Sequence, residues 1–352
     1  MLEKNKRFTA FKSADLAAWE VAAREELKGA YPQEKTHPGD GWSIHPYYDR
    51  NAVIPTAPLL RASENNFLGP RTWYNCPSLL VTDPTETNRL ALECLGQGAD
   101  GILFELNHDV NLEILLKDIE WSYCSLNFLA RKNQDAIATS LKNFIIKNQY
   151  NLKPIQGALF GRLPSNHALA GAFHFAGYQV PSCTSPVEEI AAAFTWLAKT
   201  DLNNFSEKAG QVAFSVTLGT DFFLELAKLR AYRLTWINFL AATHSRSDVP
   251  LFIHARSLPW TEAPFEPHAN MLKGTTVAMA AILGGCDAMT IDPEKNDDKM
   301  MSRVSRNISN LLREESYFSK VADPVAGSYF LENLTLQLTE SAWKIIQTHL
   351  PS

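Results

Sequence analysis

Most of the features that announce a function are missing from this chain. Its five cysteines, Cys76, Cys94, Cys124, Cys183 and Cys286, are odd in number, scattered, and never form a C-x-x-C pair. That spacing excludes a cysteine zinc cluster and a disulfide framework, and it fits reduced thiols in a cytoplasmic protein. No apolar run is long enough for a membrane span. The opening MLEKNKRFTAFKSADLAAWE has no apolar stretch behind its charges, so no signal peptide is expected. Neither charge sign dominates: 33 Lys and Arg against 38 Asp and Glu leave a net −5, which argues against a dedicated nucleic-acid binder. Also absent are a G-x-x-x-x-G-K-[ST] phosphate loop, an H-E-x-x-H metal motif and a G-x-S-x-G nucleophile elbow.

What the sequence does have is a regular alternation. With 45% hydrophobic residues, 352 residues can bury a large core. Ser13 to Lys28 reads as a helix, with Ser13 as its cap and Leu16, Trp19, Ala23 and Leu27 at helical spacing. Residues 31–70, rich in Pro, Gly, His and Asn, read as an extended arm. From residue 71 onward, strands are predicted at Ser78–Thr82, Gly101–Leu106, Tyr123–Leu129, Pro154–Phe160, Ala172–Tyr178, Val212–Leu218, Leu251–His254 and Ala288–Ile291. Helices are predicted at Pro84–Leu95, Leu112–Ile119, Gln134–Lys147, Pro186–Lys199, Asp221–Thr243, His268–Leu283, Lys299–Glu315 and Leu334–Thr348. Asp83 and Pro84 give the first of these a strong start signal. Eight strands, mostly followed by helices, imply a parallel sheet. The length fits an α/β fold of the (β/α)8 TIM-barrel type over residues 71–352, preceded by a 1–70 helix and arm. A doubly wound open sheet is the other option, weakened by the lack of a G-x-G-x-x-G after the first strand.

The last third carries a more specific signal. Phe222 to Ala231 reads FFLELAKLRA. Ala278-Met279-Ala280-Ala281 and Ser302 to Asn307 (SRVSRN) follow, and then Asp323-Pro324 with Gly327-Ser328-Tyr329. In this order they resemble the substrate barrel of the methylmalonyl-CoA mutase family. Its members rearrange the carbon skeleton of an acyl-CoA with adenosylcobalamin. No D-x-H-x-x-G is present, the motif that in this family carries the cobalt-coordinating histidine on a separate domain. The chain is therefore expected to hold the barrel without the cobalamin-binding domain.

The resemblance also places candidate site residues, and most are substituted. The family's Tyr-His pair becomes Tyr178 and Gln179. A glutamine amide can donate a hydrogen bond, but it is no general acid. In Arg71 to Ser78, Arg71 matches a phosphate-contacting arginine, while Cys76 and Ser78 replace an arginine and a tyrosine. In Phe252 to Trp260, His254 and Trp260 keep their spacing, Phe252 replaces the carboxylate-binding arginine and Arg256 replaces a glutamine. Gln211 stands where a CoA-contacting arginine would be. Tyr178, Gln179 and His254 are thus the candidate catalytic positions, vestigial or substituted. Arg71 and Arg256 are the candidate substrate or CoA contacts, and no metal site is expected. Plainer readings stay open for each: Tyr178 as strand-end packing, Arg71 as a solvated charge, His254 as a structural histidine.

An intact scaffold with substituted chemistry is similar to the small, non-catalytic subunit of heterodimeric methylmalonyl-CoA mutases. That resemblance implies a large catalytic subunit as partner and adenosylcobalamin bound by the complex. It also implies an arm that wraps the partner through Trp42, His45, Pro46, Tyr47 and Tyr48; a loop packed on its own barrel is the alternative. Two other functions stay open: an active acyl-CoA mutase chain served by a separate cobalamin-binding subunit, and a scaffold or protecting partner of a cobalamin enzyme.

Overall fold

The computed structural model describes residues 15–28, 35–36, 41–49, 51–52, 60, 71–150, 155–162, 173–199, 205–258, 269–295 and 298–350. The strands are β1 (Lys35–Thr36), β2 (Ser43–Ile44), β3 (Tyr74–Asn75), β4 (Ser78–Leu80), β5 (Gly101–Leu106), β6 (Ser125–Ala130), β7 (Gly157–Gly161), β8 (Phe173–Gln179), β9 (Val212–Leu218), β10 (Phe252–Ser257) and β11 (Ala288–Thr290). The helices are α1 (Leu16–Glu26), α2 (Pro84–Gly96), α3 (Leu112–Leu115), α4 (Gln134–Lys147), α5 (Pro186–Ala198), α6 (Phe205–Lys208), α7 (Phe222–Ala242), α8 (Ala269–Gly284), α9 (Lys299–Glu314) and α10 (Tyr329–Gln347). β1 and β2 form a small antiparallel pair.

Among the described residues the other nine strands lie parallel in one sheet, ordered β3-β11-β10-β9-β8-β7-β6-β5-β4. β3 and β4 are two halves of one stave, separated only by Cys76 and Pro77. β3 pairs with the last strand and β4 with β5. Across the break, the Cys76 amide donates to the Met289 carbonyl and the Leu103 amide to the Pro77 carbonyl. The sheet curls into eight staves, the expected (β/α)8 TIM-barrel fold. Two aromatic-rich layers pack outside it, one around Trp121, Phe128 and Phe173 and one around Phe194, Phe214, Tyr232 and Phe239.

Local chemistry explains most of the boundaries. The Asp83 side chain accepts from the Thr85 and Glu86 amides at 2.7 and 2.9 Å, which starts α2 where predicted. α3 ends at Leu115, short of the predicted Ile119, because Asp118 turns to φ +60°. α1 is capped by Asp15, which accepts from the Ala18 amide, and not by Ser13, which lies outside the described residues. α10 starts five residues earlier than predicted, behind Ser328.

Most described residues of the arm lie against this chain's own helices. Trp42 is 2% exposed within the core. The Ser43 amide donates to Gln337 Oε1 on α10 at 2.8 Å, and Asn333 Nδ2 donates to the Ala52 carbonyl. Tyr48 packs on Phe330, and Tyr47 stacks on Trp19 of α1.

β7 begins under strain that only glycine accepts. Gly157 has φ +132°, and a Cβ there would lie 1.9 Å from the Leu126 carbonyl oxygen of β6. Gly157→Ala should therefore cost about 3 kcal/mol in a urea titration. A midpoint unchanged from the parent would show that β6 and β7 can separate without penalty.

Candidate functional site

Barrel enzymes react at the C-terminal ends of the strands, where side chains from several staves converge. Here the lumen below that end is filled. Cys76, Leu103, Leu129, Ala158, Phe160, Ala213, Phe252 and Ala288 pack together inside the strands, all buried. Above them sits His254 of β10, 0% exposed, with its ring 5.4 Å from that of Phe160.

Both nitrogens of His254 are engaged. Nδ1 lies 2.9 Å from Ser215 Oγ and Nε2 lies 2.9 Å from Thr290 Oγ1. The Thr290 hydroxyl donates its one proton to the Cys76 carbonyl at 2.6 Å, so it accepts from His254 Nε2–H. Nδ1 in turn accepts from Ser215. The Thr290 bond fixes a proton on Nε2, and burial keeps the ring neutral. Burial, aided by the Arg256 charge, pushes its pKa down to about 3.

An ion network lines the mouth. Arg256 Nε and Nη2 donate to Asp292 at 2.9 and 3.0 Å, and Nη2 also reaches Glu105 Oε1 at 2.7 Å. Arg131 binds the other Glu105 oxygen, and Ser78 Oγ donates to Oε1 at 2.7 Å. Burial pushes the Glu105 carboxyl up, but Arg256 and the bonds from Arg131 and Ser78 more than offset it and hold the pKa at about 2. Each charge in this network is held by another charge of the protein.

The sequence-derived candidates do not converge. Arg256 and His254 are neighbours on β10. Gln179 pairs with Ser215 in register and so shares the luminal side of the sheet. Tyr178 faces the other way: its ring stacks on Trp196 of α5, 4.5 Å away and 13° from parallel, beside Phe214 in the outer layer. Arg71 lies at the opposite end of the barrel. It precedes β3, is 8% exposed, and donates to the Thr72 and Cys286 carbonyls. It is therefore no solvated surface charge, and burial lowers its pKa. Phe252 and Gln211 are also buried at that end, and Phe252 packs on His174 at 4.8 Å. Trp260 lies outside the described residues.

Glu105, Arg131, Asp292, Ser215 and Thr290 escaped the sequence reading. One signal for them was available. Glu105 interrupts the apolar run GILFEL, and a carboxylate in a strand buried on both faces needs a cation nearby.

The curled parallel sheet with its surrounding helices is the architecture of an α/β-barrel domain. A model of the methylmalonyl-CoA mutase family matches residues 193–349. The methylmalonyl-CoA mutase small subunit of Porphyromonas gingivalis is 26% identical, aligned over 97% of this chain and 64% of its own length. The methylmalonyl-CoA mutase of Cereibacter sphaeroides is 23% identical over 95% of this chain and 58% of its own. The small subunit of Streptomyces virginiae is 35% identical over a shorter stretch, 39% of this chain and 23% of its own. The chain is similar to the methylmalonyl-CoA mutase family, and among its members to the small subunits, while spanning about six-tenths of the length of the first two of these relatives. No helix among the described residues is long and apolar enough to cross a membrane.

Proposed function

We propose that this chain is the barrel of a small, non-catalytic subunit of methylmalonyl-CoA mutase. It pairs with a large subunit that isomerises methylmalonyl-CoA and succinyl-CoA in the cytoplasm, with adenosylcobalamin held by the complex. One observation carries the reading: the barrel axis is occupied by the protein's own groups. His254 is held by Ser215 and Thr290, and Arg256 by Asp292 and Glu105. A thioester carbonyl seeking a proton donor would have to displace Thr290 from His254 Nε2. A neutral imidazole with a pKa near 3 is also a poor general acid. A substrate carboxylate seeking Arg256 would compete with two carboxylates already paired to it.

The same residues do not fit a corrin cofactor. The histidine on the axis is buried with both nitrogens engaged, and the two arginines at the mouth are neutralised from within the chain. Adenosylcobalamin is therefore assigned to the complex, and no step is routed through it on these residues.

The test is a mutase assay with adenosylcobalamin, run on this chain alone and then with the matching large subunit, followed by size exclusion. The expected result is no turnover alone and co-elution with the large subunit. Turnover by this chain with only a cobalamin-binding protein added would overturn the reading, and would mean that Gln179 and its neighbours form a working site.

A further inference from the structure

Between the first stave and α9, and reaching the barrel mouth at Glu105, Arg256 and Asp292, lies a cavity of about 680 Å³, lined also by Ser78, Leu90 and Arg306. It shares Leu79, Leu90, Cys94, Ser302 and Arg306 with an open groove of about 900 Å³ between α2 and α9. Both volumes are in the range of small-molecule sites. Arg306 is the unusual group here. It is 6% exposed, yet its guanidinium meets only neutral acceptors. Nη2 donates to Gln97 Oε1 at 2.6 Å and Nη1 to Cys94 Sγ at 3.6 Å, while Nε has no partner. No carboxylate among the described residues lies within ion-pair distance of it.

A buried cation without a counter-ion is costly, and the cleft leaves room for one to enter. Most acids of the cleft are engaged elsewhere: Glu105 and Asp292 by Arg256, and Glu93 by Arg89. Glu294 lines the inner cavity but not the groove. Around Arg306 the walls are mixed. Ser302 offers a hydroxyl, and Leu79 and Leu90 offer apolar surface. The groove's rim includes Met300, 60% exposed. Isolated phosphate would leave that apolar surface uncovered. A planar carboxylate matches the guanidinium fork, and a short hydrocarbon chain matches the leucines.

We propose that the cleft between α2 and α9 binds a small organic carboxylate with a short apolar chain, its carboxylate seated on Arg306. The groove between α2 and α9 opens inward toward the barrel mouth, and its binding of a carboxylate does not depend on the subunit's catalytic status.

The probe is hexanoate, titrated by calorimetry against the full chain, with 1-hexanol and inorganic phosphate as controls. Saturable hexanoate binding is expected, with each methylene removed weakening it roughly fourfold. Arg306→Gln should weaken it about ten- to a hundredfold, the usual loss on removing a charged hydrogen-bond donor. Leu90→Glu places a carboxylate at the cleft wall, within the chain itself. It should abolish hexanoate binding with the circular dichroism unchanged, which keeps the test decisive if Arg306→Gln fails to fold. The proposal is overturned if hexanoate does not bind, if 1-hexanol or phosphate binds equally well, or if the Leu90→Glu chain still takes hexanoate.

Discussion

Arg230→Leu should lower the unfolding free energy by about 3–5 kcal/mol, among the largest effects of any single substitution in this chain. Arg230 is 0% exposed and lies in the middle of α7. Its Nη1 donates to Asp323 Oδ1 at 2.7 Å and its Nη2 to Glu332 Oε1 at 2.8 Å. These acids hold further groups in turn. The Leu60 amide reaches Asp323 Oδ2 at 3.4 Å and the Gly327 amide reaches Glu332 Oε1 at 3.2 Å. One guanidinium thus ties the barrel helix α7 to the Asp323-Pro324 turn, to α10 and to the end of the arm. Leucine fills most of the volume but leaves two buried carboxylates facing each other without a cation. The cost comes from that uncompensated charge, not from the loss of the pairs as such. Adding Asp323→Asn and Glu332→Gln to Arg230→Leu should therefore recover at least half of the lost stability, because neutral amides need no counter-ion. Urea unfolding of the parent, the single and the triple variant decides the matter. If the triple variant is no more stable than the single one, the network acts through shape and not through charge.

The contrast between α7 and the barrel mouth shows what a sequence can reveal. The helix FFLELAKLRA resembles its family closely, and both Asp221, which caps it, and Arg230 sit where a helical pattern puts them. β9 and α4 run from Val212 to Leu218 and from Gln134 to Lys147 as predicted, because their apolar periodicity and flanking residues suffice. β10 does not stop at His254. It continues to Ser257, since Arg256 is neutralised by Glu105 of β5 and by Asp292 just after β11. Those partners are far away in sequence, and periodicity cannot see them. β3 was missed because two residues before a proline carry no alternation to read.

Tyr178 shows a third kind of limit. Ala158 pairs with His174 but Phe160 with Gly177, so β8 carries one extra residue against β7. A bulge of this kind reverses which side chains face the lumen. Beyond it, Tyr178 points to α5 and Gln179 to the axis. A motif match aligns residues by position. It carries no information on which face of the sheet each one takes.

Acid should destabilise this protein steeply, beginning well above the range in which carboxylates titrate, and His254 is the main cause. Unfolded, its imidazole titrates near 6.5; folded, burial and Arg256 hold it at about 3. The folded pKa is depressed, so the unfolded chain takes up the proton first. The resulting stabilisation is complete above pH 6.5 and is lost as the pH falls from 6.5 toward 3. A depression of that size, at about 1.4 kcal/mol per pH unit, corresponds to roughly 5 kcal/mol. Glu105 acts in the same direction over a lower window. Its carboxyl is held near 2 against an ordinary 4.5, so its contribution fades only between about pH 4.5 and 2. His174, pushed down to about 4 by burial, overlaps with His254 in the upper window. The groups separate by substitution. His254→Gln keeps a donor for Thr290 and an acceptor for Ser215 but cannot titrate, so the slope of unfolding free energy between pH 6.5 and 4.5 should fall by about one proton. His174→Gln should remove at most a similar share, over a range that ends nearer pH 4. Below pH 4.5 both variants should still lose stability through Glu105. If His254→Gln leaves the slope between pH 6.5 and 4.5 unchanged, the imidazole is already accessible to protons in the folded chain. The barrel axis would then be open to solvent, and the case for a closed, non-catalytic lumen would fall with it.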